Sequence, residues 1–201
     1  HTLRAFGDAP DEARFERERH QIHLPDALGA FDGDEVVGTT HYEPSRITLP
    51  GGAQLDCAGV TNVSVATTHR RRGILRRMMA QQLADIASRD ISLAALWASE
   101  SPIYGRFGYG LATVHEQWRI LRDQTAPGWW TRAPQGSVRF IPTASARPVL
   151  EPLFDQFAAT RPGGMARISH RWDSRLADAE HVRSGMSPLN TVIHEVNGIA
   201  D

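Results

Sequence analysis

The sequence of 201 residues contains one cysteine, no apolar run long enough to cross a bilayer, and almost no excess of either charge. Cys57 cannot form a disulfide within the chain, so we expect a soluble, cytoplasmic protein in which this thiol is a packing residue and not a nucleophile. The net charge of −1 gives no general attraction to nucleic acid or to an anionic membrane, and we expect neither as a partner. The histidines lack the spacing of a metal site, so we predict no metal.

One continuous stretch carries most of the chemical information. Its pattern predicts a strand at Val60–Ala66, a basic turn at His69–Gly73, a helix at Ile74–Ser88 and a second strand at Ile91–Ala98. The first amide N–H groups of a helix have no internal partners and attract anions. Three consecutive arginines add charge, and Gly73 lets the backbone approach a ligand closely, so a phosphate or diphosphate is the expected guest.

The known glycine-rich phosphate loops do not match this turn. The Gly-Lys-Ser/Thr ending of a Walker loop is missing, and so is the three-glycine pattern of dinucleotide-binding domains. What remains is an Arg-x-x-Gly-x-Leu turn formed by Arg70, Gly73 and Leu75. We therefore predict a nucleotide-bearing ligand at the start of this helix.

Two motifs in order carry a family resemblance. The turn is HRRRGIL at residues 69–75, and Ala98-Ser99-Glu100 is followed by IYGRFGYG at residues 103–110. Together they closely resemble the enhanced intracellular survival (Eis) family of the GNAT acetyltransferase superfamily, whose members are multi-acetylating aminoglycoside N-acetyltransferases. The resemblance implies an α/β fold with a mixed sheet, and acetyl-CoA as the co-substrate.

The resemblance also implies the residues that bind acetyl-CoA. Main-chain groups of the first strand would bind the pantetheine arm, at Val63, Ser64 and Val65. The turn and the helix start would bind the diphosphate, with Arg70, Arg71, Arg72, Gly73, Ile74, Leu75 and Arg76. Ser99 and Glu100 would lie on the opposite side of the site. We expect Arg71 and Arg72 to contact the diphosphate, and at least one of the three arginines to face solvent, because consecutive side chains cannot all face one ligand.

Acetyl transfer needs a proton for the departing thiolate and a base for the amine. A phenol stays protonated at neutral pH, and the resemblance implies that Tyr104 is the general acid. The alternative is a tyrosine that only anchors its loop, as we expect for Tyr109. The family's base is the free carboxylate at the end of the full-length chain, which this sequence does not contain. Asp8 is a candidate for binding a cationic substrate, and the alternative is a helix-start residue.

The pattern predicts two domains. Residues 1–122 would form the N-terminal GNAT domain, the proline- and glycine-rich residues 123–137 a linker, and residues 138–201 the start of a second GNAT-like domain. A predicted strand at Thr191–Val196 enters an Asn197-Gly198 hairpin turn with only three residues after it, so we expect the second strand of this hairpin to be missing and the natural protein to be longer. The resemblance implies a further sterol-carrier-like domain, absent from this chain, and a homo-oligomer, a hexamer in the family.

Several finer expectations concern the elements around the site. Ala27–Phe31 and Glu35–Tyr42 should form a hairpin, and the apolar strand Ile91–Ala98 should be central in the sheet. A further strand at Ala112–Leu121 should complete the first domain. On the helix we place Gln82 on the polar face, opposite the apolar stripe of Leu75, Met79, Leu83 and Ile86.

Three functions remain open on the sequence. The first is acetylation of a polycationic small molecule, aminoglycoside-like. The second is acetylation of protein lysines. The third is a module with the same fold that binds acyl-CoA and does not turn over.

Overall fold

The computed structural model describes residues 22–114, 135–180 and 185–200, with residues 5, 7, 19, 116, 119, 121 and 183 as isolated positions. Within these ranges the chain forms seven strands and three α-helices, arranged as two sheets with helices packed beside them. In chain order they are β1 (Ala27–Asp32), β2 (Glu35–Thr48), β3 (Gln54–Val65), α1 (Ile74–Ser88), β4 (Leu93–Leu96), β5 (Ser137–Ile141), α2 (Arg147–Thr160), α3 (Ser169–Ala177), β6 (Thr191–Val196) and β7 (Ile199–Ala200).

The first sheet has the order β1-β2-β3-β4. The pairs β1–β2 and β2–β3 are antiparallel, whereas β3 and β4 are parallel and are joined by α1. A parallel pair needs such a crossover, because its strands cannot be connected by a tight hairpin. The predicted hairpin, crossover helix and mixed sheet are therefore confirmed.

Helix α1 packs on one face of this sheet through two apolar clusters. One cluster contains Tyr42, Ala58, Val60 and Ile86, and the other contains Val37, Ile74 and Met78. This burial holds the start of α1 close to the ends of β2 and β3, where the site lies.

The placing of Gln82 on the polar face of α1 is wrong, because its side chain is fully buried against the sheet. Its Oε1 accepts a hydrogen bond of 3.0 Å from Thr40 Oγ1 on β2. The hydroxyl supplies a partner for the amide oxygen only, since the buried Nε2 has no hydrogen-bond partner in the described part of the chain. A helical pattern alone cannot reveal a partner on another element.

Strand β4 is shorter than the expected strand Ile91–Ala98, and its position among the described strands differs from the expected one. Only Leu93–Leu96 is a strand, it is half-buried, and among the described strands it pairs with β3 alone. The described strands thus place β4 at an edge of this sheet, and a central position in the whole sheet stays a prediction. No strand includes the described residues 111–114, 116, 119 and 121, which contradicts the expected strand at Ala112–Leu121; the other residues of that segment lie outside the described ranges.

The second sheet has the order β5-β6-β7. The Asn197-Gly198 turn closes a hairpin in which Val196 pairs with Ile199, so the expectation of a missing second strand is corrected. Two residues suffice for this pairing because the turn fixes the register. The predicted linker at residues 123–137 falls largely outside the described residues.

The segment after α2 contacts the first sheet directly. Thr48 N–H donates to the carbonyl of Gly164 (2.9 Å), and Gly163 N–H donates to the carbonyl of Thr48 (2.8 Å). On the same side of the molecule, Arg171 of α3 donates two hydrogen bonds of 2.9 and 3.1 Å to the carboxylate of Glu43 on β2. These contacts attach the region of the second sheet to the far end of β2.

Candidate active site at the open edge of strand β3

The site begins where β3 and β4 separate. Their pairing ends at Val60 and Leu96, whereas β3 continues to Val65. The main chain of Val63–Val65 therefore has no β4 partner on that edge, although its other edge pairs with β2. An unpaired strand edge offers N–H and C=O groups to any extended ligand laid beside it.

A cavity of ≈ 540 Å³ opens beside this free edge. It joins three groups that the sequence separates: the end of β3, the start of α1 and the loop after β4. The predicted residues that line it are Val63, Ser64, Val65, Arg70, Arg71, Gly73, Ile74, Leu75, Arg76, Ser99, Glu100 and Tyr104. Of the predicted cofactor residues, Arg72 alone does not line the cavity. Arg72 is exposed, and its role in binding stays a prediction.

The start of α1 is suited to an anion. Gly73 is the N-cap residue, with φ 76°, and no side chain caps the helix. The first turn contains no acidic residue, so nothing on the helix itself offsets the positive end of its dipole. Arg70 and Arg71 border the same space and add full charges. This end of the cavity fits a diphosphate, and the free edge of β3 fits an extended amide-bearing arm attached to it.

The turn before α1 is fixed to the neighbouring hairpin by His69. His69 Nε2 lies 3.0 Å from Asp32 Oδ2 at the end of β1, and His69 Nδ1 lies 2.8 Å from Thr68 Oγ1. His69 also lines the cavity. The sequence motif includes His69, but no local pattern could show that Asp32, 37 residues earlier, anchors it.

Tyr104 lies at the opposite side of the cavity, in the loop after β4. It sits between two single 3-10 turns, Ser101–Ile103 and Gly105–Phe107. Burial, and secondarily the negative charge of Glu100, raise the pKa of the Tyr104 hydroxyl. A phenol in this environment stays protonated at neutral pH and can donate its proton.

Tyr109 differs from Tyr104 although both belong to the same motif. Their rings meet edge to face with centroids 5.9 Å apart, but Tyr109 is not among the residues that line the cavity. Its hydroxyl is buried, and no hydrogen-bond partner for it lies in the described part of the chain. Burial, with Tyr104 and Cys57 nearby, raises the pKa of Tyr109 to about 12. The arrangement fits a packing role for Tyr109.

Other lining residues were not selected from the sequence. Ile103, Arg106 and Phe107 border the cavity together with Tyr104. Arg106 Nε donates to the carbonyl of Ile103 (2.9 Å), which turns the loop back on itself. The sequence did contain a signal for these residues, because all three belong to the IYGRFGYG motif. Acetyl transfer, however, assigns no specific chemical role to their side chains, so the motif alone did not identify them as lining residues.

Cys57 lies in the core and not at the cavity. Its side chain is buried, and burial raises the pKa of the thiol. A protonated, inaccessible thiol is a poor nucleophile, which agrees with the predicted packing role.

Three further expectations concern parts of the chain that the structure describes incompletely or not at all. Asp8 lies outside the described residues. Among the residues that are described, no group of three or more His, Cys, Asp and Glu side chains is arranged to hold a metal ion. In the same part of the chain, every helix is too short or too polar to span a bilayer.

Comparison with known proteins agrees with the geometry of the site. The family model of the acetyltransferase (GNAT) domain matches residues 1–112. The chain is 41% identical over 203 aligned positions to an uncharacterized N-acetyltransferase of Streptomyces avermitilis, covering 98% of this chain and 48% of that protein. It is 39% identical over 172 positions to the N-acetyltransferase Eis of Mycobacterium tuberculosis, covering 83% and 42%.

A solved structure shows the same fold. The crystal structure of Eis1 from Mycobacterium abscessus superposes with a TM-score of 0.76 at 32% identity, covering 96% of this chain and 46% of that one. The chain thus spans about half the length of these relatives. On the matched domain, the identity to Eis and the superposed fold, the chain belongs to the GNAT acetyltransferases and, among them, to the Eis family.

Proposed function

We propose that this protein transfers the acetyl group of acetyl-CoA to an amine, at the cavity between β3 and Tyr104. The observation that carries the proposal is the meeting, in one cavity, of an uncapped helix start with arginines, a strand edge that no described strand pairs with, and a protonated phenol. Each part answers one need of the reaction: the anionic end of the cofactor, its extended arm and its departing sulfur. The names of the relatives support the same activity.

The cofactor end of the cavity divides into two parts. The N–H groups of Gly73 to Arg76 and the guanidinium groups of Arg70 and Arg71 would bind the diphosphate. The main chain of Val63–Val65 would pair with the pantetheine arm as a short added strand. Ser99 and Glu100 border the opposite side. This assignment orients the thioester towards Tyr104.

The chemistry at that end follows from the residues in place. Acetyl-CoA supplies an activated thioester whose carbonyl carbon an amine can attack. As the C–N bond forms and the C–S bond breaks, Tyr104 would donate its hydroxyl proton to the departing thiolate. The amine must also lose a proton, and we propose that the base is the carboxylate that ends the full-length chain, as in the family.

For the substrate we propose a polycationic amine of the aminoglycoside type. The similarity to Eis proteins supports this choice, and the carboxylate of Glu100 in the cavity wall would attract cationic groups. Assembly as a homo-oligomer, a hexamer by resemblance, is part of the same proposal.

The proposal is tested by Tyr104→Phe beside the matched variant Tyr109→Phe. With acetyl-CoA and kanamycin in a thiol-release assay, Tyr104→Phe should lower kcat about 100-fold, because the general acid is lost. It should leave the Kd of CoA, measured by calorimetry, unchanged. Tyr109→Phe should keep near-normal turnover, since the hydroxyl it removes has no described partner and does not face the cavity.

Each other outcome has a definite meaning. Near-normal turnover by Tyr104→Phe would remove Tyr104 as the acid. Because the proposed base belongs to the full-length chain, these assays use the full-length protein; there, binding of CoA without thiol release from any amine would instead support a silent module. Release with lysine peptides and not with kanamycin would favour the protein-lysine reaction.

A further inference from the structure

Strand β3 contains a bulge between its paired and its free part. Thr39 pairs with Ser64 and His41 with Thr61, so two residues of β3, Asn62 and Val63, oppose the single residue between them on β2. Asn62 has φ 52°, a left-handed conformation that asparagine tolerates better than most residues. The bulge begins two residues after Val60, the last residue of β3 that pairs with β4, and immediately before the edge that borders the cavity.

The backbone of the bulge is held by one hydroxyl of the neighbouring strand. Thr39 Oγ1 donates a hydrogen bond of 3.0 Å to the carbonyl of Asn62. The same oxygen lies 2.8 Å from Ser64 Oγ, and because the Thr39 proton is committed to the carbonyl, Ser64 is the donor in that contact. Thr39 therefore links the bulged residue to a residue that lines the cavity.

The side chain of the bulge is held by a buried histidine. Asn62 Nδ2 donates to His41 Nδ1 at 3.3 Å, so the proton of the neutral imidazole is on Nε2. His41 is only 5% exposed, and its Nε2 lies 3.9 Å from Glu43 Oε1, which is an electrostatic contact and not a hydrogen bond. Glu43 is fixed in turn by Arg171 and by His170 Nε2 at 3.3 Å. His41 Nε2 itself has no hydrogen-bond partner in the described part of the chain, so burial and the contact with Glu43 hold the ring that accepts from Asn62.

We propose that Thr39 and His41 are positioning residues for acetyl transfer, which act by holding the bulge at Asn62. The bulge sets which main-chain groups of Val63 and Ser64 point to the open edge. In a regular strand, the N–H and C=O groups of one residue point to one edge of the strand and those of the next residue point to the other edge. If β3 lost its bulge and became regular, the main-chain groups that now face the open edge would face β2 instead. The inference rests on the proposed binding of the pantetheine arm along Val63–Val65.

The test separates the two parts of the cofactor. CoA has a pantetheine arm, whereas 3′-phospho-ADP has the diphosphate and no arm, and calorimetry gives the Kd of each. Thr39→Val removes the hydroxyl with little change of shape. Thr40→Val is the matched control, because it makes the same change at the next residue, whose hydroxyl faces α1 and bonds to Gln82.

We expect Thr39→Val to raise the Kd of CoA about fivefold for each main-chain hydrogen bond lost, and to lower kcat. The Kd of 3′-phospho-ADP should stay unchanged, and Thr39→Ser should restore CoA binding. Thr40→Val should lower the melting temperature without changing either Kd. If Thr39 has a purely structural role, Thr39→Val should lower the melting temperature and leave both Kd values unchanged, as expected for Thr40→Val. That result would overturn the inference.

A second pair of variants tests the bulge itself. Asn62→Gly allows the left-handed conformation and loses only the contact with His41. Asn62→Ala loses the same contact and also disfavours the left-handed conformation. Asn62→Ala should therefore weaken CoA binding more than Asn62→Gly, with 3′-phospho-ADP again unaffected. Equal binding of CoA by both variants and by the unaltered protein would overturn the inference and leave the proposed function standing. If the unaltered protein binds neither ligand, the proposed function and the inference both fail.

Discussion

Arg71 holds a backbone conformation that costs stability, and it stands beside the predicted diphosphate site. Its φ is 64°, in the left-handed region that disfavours residues with a Cβ. Arg71 is exposed and borders the cavity, so no buried contact of its side chain offsets this cost. Strained residues of this kind persist where function needs their side chain. Arg71→Asn should therefore change stability and ligand affinity in opposite directions.

The two magnitudes follow from the geometry. A left-handed residue with an ordinary side chain costs about 1–2 kcal/mol, and asparagine relieves part of it, so we expect a gain of roughly 0.5–1 kcal/mol. For a chain of this size, that gain raises the melting temperature by about 2 °C. Loss of a charge-assisted contact with phosphate should raise the Kd of CoA about tenfold.

The assay is thermal denaturation without ligand, followed by calorimetry with CoA. Arg72→Asn is the matched control, because Arg72 has the same charge, a φ that is not positive, and no place in the cavity wall. It should leave the melting temperature unchanged, and its effect on the Kd of CoA tests separately whether Arg72 also binds the diphosphate. A lower melting temperature for Arg71→Asn, or an unchanged Kd of CoA in that variant, would refute the reasoning.

Two further predictions concern the packing around the site. Burial favours the protonated form of Glu43, but His41, Arg171 and His170 outweigh it and lower its pKa from 4.5 to about 2. The carboxylate therefore stabilises the fold above about pH 4.5, and this contribution disappears as the pH falls towards 2; Glu43→Gln should cost on the order of 2 kcal/mol at neutral pH and flatten the acid denaturation curve. An unchanged curve would contradict this. In Gly38→Ala, the new Cβ would lie 3.0 Å from Met78 Cε and 3.1 Å from Ile74 Cγ2, so chemical denaturation should show a loss of about 1–3 kcal/mol. Gly105→Ala, with open space around it, is the control and should lose little.

Local features were predictable where the responsible residues are neighbours in sequence. The strand, the glycine-ended basic turn and α1 follow from a pattern that spans fewer than thirty residues. The chemistry of the helix start belongs to the main chain and needs no distant partner. The motif around Tyr104 could likewise be recognised from its own residues.

The features that the sequence missed share a physical cause. The burial of Gln82 depends on Thr40, 42 residues earlier, and the place of β4 among the described strands depends on which strands pair beside it. Neither is encoded in a local period of hydrophobicity. The sequence also could not show that Arg70 and Arg71 line the cavity and Arg72 does not, because three consecutive arginines are chemically alike.

By itself, the sequence determined that an arginine-rich turn opens a helix after a strand, and that a tyrosine motif follows the next strand. These follow from backbone chemistry and from residue order. Only the tertiary structure decided that the two motifs line one cavity, and that the bulge at Asn62 is hydrogen-bonded to Thr39 and His41. The reason is that such contacts join residues far apart in the chain, as Glu43 and Arg171 do across 128 positions, and folding alone brings them together.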